Sequence, residues 1–216
     1  MKYKMVIFDM DGTLIKGRTI FKVAEEKGFK KELMEIIESK REACEKTIEI
    51  ARFLKCMTVE EFLEIFKKIP LQKNADYIIR KLKKMNIITA IVTDSYHIPA
   101  IYLKEKLGID YVFSNKLLIK NSHITGEVIL HNENPVKKFE GCKMHSICKR
   151  DVVRYLCRKL KIDNEEVIAV GDGKVDICML KEAGLGIAFN GDDEVKRSAD
   201  VSINELIEIL NVLKRV

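Results

Sequence analysis

Five aspartates cluster where apolar runs end. Met5-Val6-Ile7-Phe8 stops at Asp9-Met10-Asp11-Gly12-Thr13, and Ile87–Val92 stops at Thr93-Asp94-Ser95. Val167–Val170 stops at Gly171-Asp172-Gly173, with Asp176 close behind, and Lys149 opens the amphipathic stretch before that third cluster. These residue types together have the parts for phosphoryl transfer. A carboxylate can attack phosphorus, with a divalent cation offsetting the repulsion between that anion and an anionic substrate. A second carboxylate two positions later can protonate the leaving oxygen and then activate water. Hydroxyl, amide and ammonium donors can bind the phosphoryl oxygens as charge develops.

Such a set works only if the intervening elements bring it together. Short buried strands alternating with helical patterns imply an α/β fold, a parallel sheet with helices on both faces, and ligands bind such sheets at the carboxyl ends of the strands. The expected strands are 5–8, 87–92, 167–170, 185–188 and a short one near 200–203, with a β-hairpin over 111–130 turning at Asn121-Ser122. Helices are expected near 74–85, through Leu107, over 150–161, near 174–182 and from Asn204 onward. Between Lys16 and Leu71 the strand signal vanishes. Four amphipathic helices are expected there, at roughly 18–27, 30–43, 45–55 and 59–68, the last opened by Thr58 and Glu61 in capping-box spacing. The expected organisation is a core of residues 1–15 and 72–216 carrying an inserted all-helical cap at 16–71.

Taken singly, each motif also has a plain structural reading. Asp-x-Asp and Gly-Asp-Gly commonly mark turns, Thr93 could cap a helix, and one lysine among 39 basic residues is ordinarily a solvated charge. Taken together, they carry a resemblance. Asp9-Met10-Asp11-Gly12-Thr13-Leu14 resembles the first motif of the haloacid dehalogenase superfamily of phosphatases. Val92-Thr93-Asp94-Ser95 resembles its second motif, Lys149 its third, and Gly171-Asp172-Gly173-Lys174-Val175-Asp176 its fourth. The helical insertion is similar to the cap of the phosphoserine-phosphatase-like branch.

The resemblance implies a Rossmann-like core and a phosphatase that hydrolyses a small-molecule phosphate monoester through a phosphorylated Asp9. It makes Asp11 the general acid/base, Thr93 Oγ and the Asp94 amide phosphate ligands, and Lys149 a bridge between phosphate and nucleophile. Mg2+ would be held by the Asp9 and Asp172 carboxylates and the Asp11 backbone carbonyl, with Asp176 supporting from behind. A phosphoserine phosphatase proper, a phosphotransferase to an alcohol and a non-catalytic binding module are the alternatives.

Three departures bear on the substrate. Arg18 falls where phosphoserine phosphatases carry a glutamate that meets the substrate ammonium, and the arginine for the substrate carboxylate falls near Ile50 or Ala51. A cation at that place repels an ammonium and favours a carboxylate or second phosphate, so a substrate other than phosphoserine is expected. Asp94-Ser95 stands where relatives often have two glycines, and an Asp94 side chain in the pocket would favour a cationic substrate group instead. Val175 replaces a frequent asparagine.

Composition bounds the rest. The 216 residues, 47% hydrophobic and 33% charged, describe an ordinary globular chain. The net charge of +6 is spread along the chain without a basic, aromatic-interleaved stripe, so no nucleic-acid partner is expected. No apolar run approaches the ~20 residues of a membrane span. With no export signal in view, the six cysteines are expected to be reduced and the protein cytoplasmic. Cys142, His145 and Cys148, with His131, have soft-ligand spacing for zinc, against the simpler reading of pocket-lining thiols.

Overall fold

A computed structural model describes residues 2–136 and 144–214. The first strand, β1 (Met5–Phe8), is wholly buried, as its unbroken apolar sequence requires of a central strand. Four helices follow: α1 (Thr19–Lys27), α2 (Lys30–Glu38), α3 (Ala43–Arg52) and α4 (Val59–Lys67). The chain then alternates through α5 (Ala75–Lys84), β2 (Ile88–Tyr96), α6 (His97–Leu107), β3 (Tyr111–Lys120) and β4 (His123–Ile129). It closes with α7 (Lys149–Leu160), β5 (Val167–Gly171), α8 (Ile177–Glu182), β6 (Leu185–Phe189), α9 (Asp193–Ser198), β7 (Val201–Ile203) and α10 (Ile209–Lys214).

The seven strands form one sheet in the order β4-β3-β2-β1-β5-β6-β7, parallel except for the β3–β4 hairpin. Because β1 is central, chain order runs outward from it in both directions, and the strand tips beside it flank the crevice where such sheets bind ligands. Phe8 lies opposite Ile91 on one side and Val170 on the other, so Asp9, Thr93-Asp94 and Gly171-Asp172 emerge at one level on adjacent strands.

Alternation along β1 divides the core. Val6 and Phe8 pack beneath α5, α6 and α10, through residues such as Ile79, Leu103 and Ile209. Met5 and Ile7 pack against α7 and α8, through Val153, Leu156 and Met179. A third cluster joins α1–α4 to the sheet's edge: Val23, Leu33, Leu54 and Phe62 share it with Tyr96, Leu117 and Ile124. The helical layer therefore rests on the hairpin as well as on itself, and Cys56 N and Val59 N donate to the Ile124 and Ser122 carbonyls.

Local chemistry explains the boundaries. Gly28 and Gly108 end α1 and α6 in the left-handed conformation that glycine takes without strain. Thr58 Oγ1 accepts from Glu61 N at 3.0 Å at the start of α4, but the Glu61 carboxylate reaches Lys27 rather than closing a reciprocal box. Several extents differ from expectation. Helix α2 ends at Glu38, short of the expected 43, and α10 begins at Ile209 rather than Asn204, after a tighter turn over Leu206–Glu208. β2 runs on through Asp94 and Ser95 because Asn115 Nδ2, on β3, donates to the Asp94 carbonyl at 2.7 Å and carries the strand past its irregular register. Helix α9 was not expected; six residues are too few to show a helical period, and its signal is Asp192, whose side chain accepts from Glu194 N and Val195 N.

The hairpin turn places both Asn121 (φ 49°) and Ser122 (φ 63°) in left-handed backbone. Glycine bears the second position more readily. Ser122→Gly is expected to raise the unfolding free energy by about 0.5–1 kcal/mol, read from the urea midpoint; a lowered midpoint would contradict this account of the turn.

Candidate active site

Asp9 follows β1 directly. Its N–H donates to the Val170 carbonyl, which extends the ladder by one residue and fixes the carboxylate over the tip of β5. The side chain is buried, and Lys149 Nζ donates to its Oδ1 at 2.5 Å. The same ammonium donates to Asp176 Oδ1 at 2.6 Å, and Lys149 itself is only 1% exposed. Among the described residues, Asp9, Asp172 and Asp176 form the one group of carboxylate, thiol or imidazole donors close enough to hold a metal ion, with ligand atoms within 4.8 Å of one another.

Like charges this close require compensation. Burial pushes the Asp9 carboxyl well above the usual carboxylate range, the Lys149 ammonium pulls it back, and Asp176, Asp172 and Asp94 push it up again. Burial alone would lower Lys149, yet the fields of Asp176 and Asp9 overcome it and hold the amine protonated. Burial also raises Asp172, against the hydrogen bond from Thr13 Oγ1 to its Oδ1 at 2.8 Å.

Backbone shape lets these groups meet. Gly12 has φ +91°, and a Cβ there would overlap the Asp172 carboxylate. A Cβ on Gly171 would lie 2.5 Å from the Asp176 Cβ. Gln72 Nε2 holds the Gly12 carbonyl at 2.8 Å, and Gly173 N donates to Asp176 Oδ2 at 2.9 Å.

Asp11 stands on the other side of the loop, half-buried, its Oδ1 accepting from Thr19 N at 2.8 Å and Thr19 Oγ1 at 2.5 Å. Burial raises its carboxyl to about 6, with the Thr19 bonds and Arg18 opposing and Asp94 assisting. A carboxyl poised there can give and take a proton near neutral pH.

The acids form the floor of a cavity of about 240 Å³ roofed by α1, α2 and α3. Asp9, Asp11, Arg18, Asp94, Asp172 and Asp176 all line it. Thr93 lies wholly buried beneath, its Oγ1 accepting from Ser95 N at 3.1 Å, while Ser95 itself reaches the cavity. Sequence reasoning gave no role to Thr13, Thr19, Gln72, Ser95 or Lys46. Thr13 and Ser95 sat inside motifs already quoted, but the other three depend on contacts between separate elements. Cys142 lies outside the described residues, so the Cys/His zinc arrangement cannot be assembled from His131, His145 and Cys148 alone.

A parallel sheet with acids at its central tips, a buried lysine and a helical roof is the arrangement of the haloacid dehalogenase-like hydrolases, and the chain belongs to that family, whose model matches residues 3–184. Within it, the likeness runs to phosphoserine phosphatases. That of Methanocaldococcus jannaschii is 32% identical over 222 residues, covering 99% of each chain. A substrate-bound phosphoserine phosphatase complex superposes with a TM-score of 0.83 at 31% identity, covering 98% of this chain and 99% of the other. A phospho-aspartyl intermediate analogue of phosphoserine phosphatase gives 0.82 at 32% identity with the same coverage.

Removing the ammonium should expose the cost of crowding these carboxylates. In metal-free protein, Lys149→Met is expected to lower the unfolding free energy by about 3–5 kcal/mol. Adding Asp176→Asn should recover part of that loss. Equal urea midpoints for the single variant and the parent would show that Lys149 does not carry this compensation.

Proposed function

We propose that this protein is a magnesium-dependent phosphatase that hydrolyses a small phosphate monoester through a phosphorylated Asp9. The observation that carries the reading is a buried carboxylate at a central strand tip, bonded to a buried lysine and opening onto a cavity shared with Asp11. The membership and relatives reported above support it.

The donor set fits a hard divalent ion. The clustered donors are all carboxylate oxygens, and the family resemblance implies that Asp9 and Asp172, with the Asp11 carbonyl, would hold Mg2+, while Asp176, bonded by Lys149 and Gly173 N, supports from behind. When bound, Mg2+ supplies positive charge against the phosphoryl oxygens. An Asp9 oxygen attacks phosphorus and the bond to the leaving oxygen breaks, Asp11 giving that oxygen its proton. Asp11 then takes a proton from water as the water oxygen attacks phosphorus, the bond from phosphorus to Asp9 breaks, and inorganic phosphate leaves. Lys149 offsets charge on Asp9 and phosphate throughout; the Asp94 amide and the Thr93 hydroxyl, whose oxygen accepts from Ser95 N while its proton is left to donate, bind phosphoryl oxygens.

Residues 16–71 serve as the cap that excludes water, and substrate enters as they part from the strand tips. The reaction takes place in the cytoplasm, a compartment that keeps thiols reduced. No helix among the described residues is long and apolar enough to cross a membrane. Phosphoserine, the substrate in the relatives' names, is the second reading.

With p-nitrophenyl phosphate and Mg2+, Asp9→Asn should abolish turnover, and Asp11→Asn should slow it by about 10²–10⁴-fold. EDTA should abolish activity and added Mg2+ restore it. Undiminished turnover by Asp9→Asn would end this assignment.

A further inference from the structure

The cavity has two chemically distinct ends. Every acid that lines it belongs to the strand tips or the loops that follow them. The opposing wall, from α1, α2 and α3 and the residue before α1, presents Ile20, Phe21, Ile37 and Ile50 with two cations, Arg18 and Lys46, and no acid. Lys46 is half-buried, and its Nζ donates to the Ile37 carbonyl at 2.7 Å, which pins the ammonium at the wall where α2 nears its end. Among the described residues, neither Arg18 nor Lys46 forms an ion pair with a carboxylate; Arg18 acts on Asp11 and Asp172 only through its field. Two cations on the wall of a small cavity, neither held in an ion pair among the described residues, favour an anion there.

Asp94 does not reverse this. It lies on β2, on the strand-tip side of the cavity and not on the helical wall. A substrate ammonium beyond the reacting phosphate would meet Arg18, Lys46 and apolar surface, with no carboxylate on that wall to receive it.

We infer that Arg18 and Lys46 select a phosphate monoester whose leaving group carries a second anionic group, a carboxylate or phosphate, and no ammonium. The inference rests on the phosphatase reading above. A cavity of about 240 Å³, which must also hold the phosphoryl group, limits the leaving group to a few carbons.

The test compares kcat/KM, with Mg2+, for 3-phosphoglycerate, propane-1,3-diol bisphosphate, phosphoserine and phosphoethanolamine. Phosphoglycerate and phosphoserine share a carboxylate and differ in carrying a hydroxyl or an ammonium. The two anionic-tailed esters are expected to exceed phosphoserine and phosphoethanolamine by about tenfold or more, and the better of the two identifies carboxylate or phosphate as the preferred group. Arg18→Glu should shift the ratio of phosphoethanolamine to phosphoglycerate by about 100-fold toward the amine, and Lys46→Gln should shift it the same way by about tenfold. Because these are ratios within one variant, a loss common to all substrates leaves them unmoved. Phosphoserine turned over as well as phosphoglycerate, or an unshifted ratio in Arg18→Glu, overturns the inference while p-nitrophenyl phosphate hydrolysis keeps the phosphatase reading intact. No magnesium-dependent turnover of any ester overturns both.

Discussion

The ammonium of Lys149, lodged between Asp9 and Asp176, is what makes the rest of the site tolerable. Carboxylates drawn within a few ångströms of one another in a dry setting would protonate or drive the strands apart. One buried cation on the first turn of α7 lets Asp9 sit at the end of β1 and Asp176 stand behind β5 without either outcome. Its position depends in turn on the packing of α7, through Val153 and Leu156, onto the face of the sheet that carries Met5 and Ile7. Electrostatics at the tip and apolar burial below are one construction.

The sheet supplies the other constraint. With β1 flanked on both sides by parallel strands in matched register, three loops rise side by side, and each brings a different chemical part. Close approach then becomes a matter of single atoms, which is why glycine occupies positions 12 and 171: a methyl group at either would take space held by an aspartate.

Much of this was legible in the sequence because the reacting groups sit at the ends of apolar runs, where a change of pattern marks a strand tip. The strands of the core, the four helices of the roof and the hairpin turn at Asn121-Ser122 lie close to where periodicity puts them. What periodicity could not give are features fixed across space. The extension of β2 depends on an asparagine of β3, and Glu61 is drawn from its capping partner to a lysine on another helix. Thr93 points beneath the cavity while Ser95 faces it, a distinction made by the turn rather than by composition. Lys46, on a helix face otherwise unremarkable in charge, becomes notable only when the end of α2 is folded beside it.

The bonds from Thr19 to Asp11 have a consequence for how the two halves of the molecule communicate. Both donors fall on Oδ1, so that oxygen anchors the first turn of α1. The bonds favour the ionised carboxylate, but burial beneath the roof raises the carboxyl to about 6 and is the larger effect, so parting α1 from the strand tips lets Asp11 ionise more readily, and its protonation favours the seated helix.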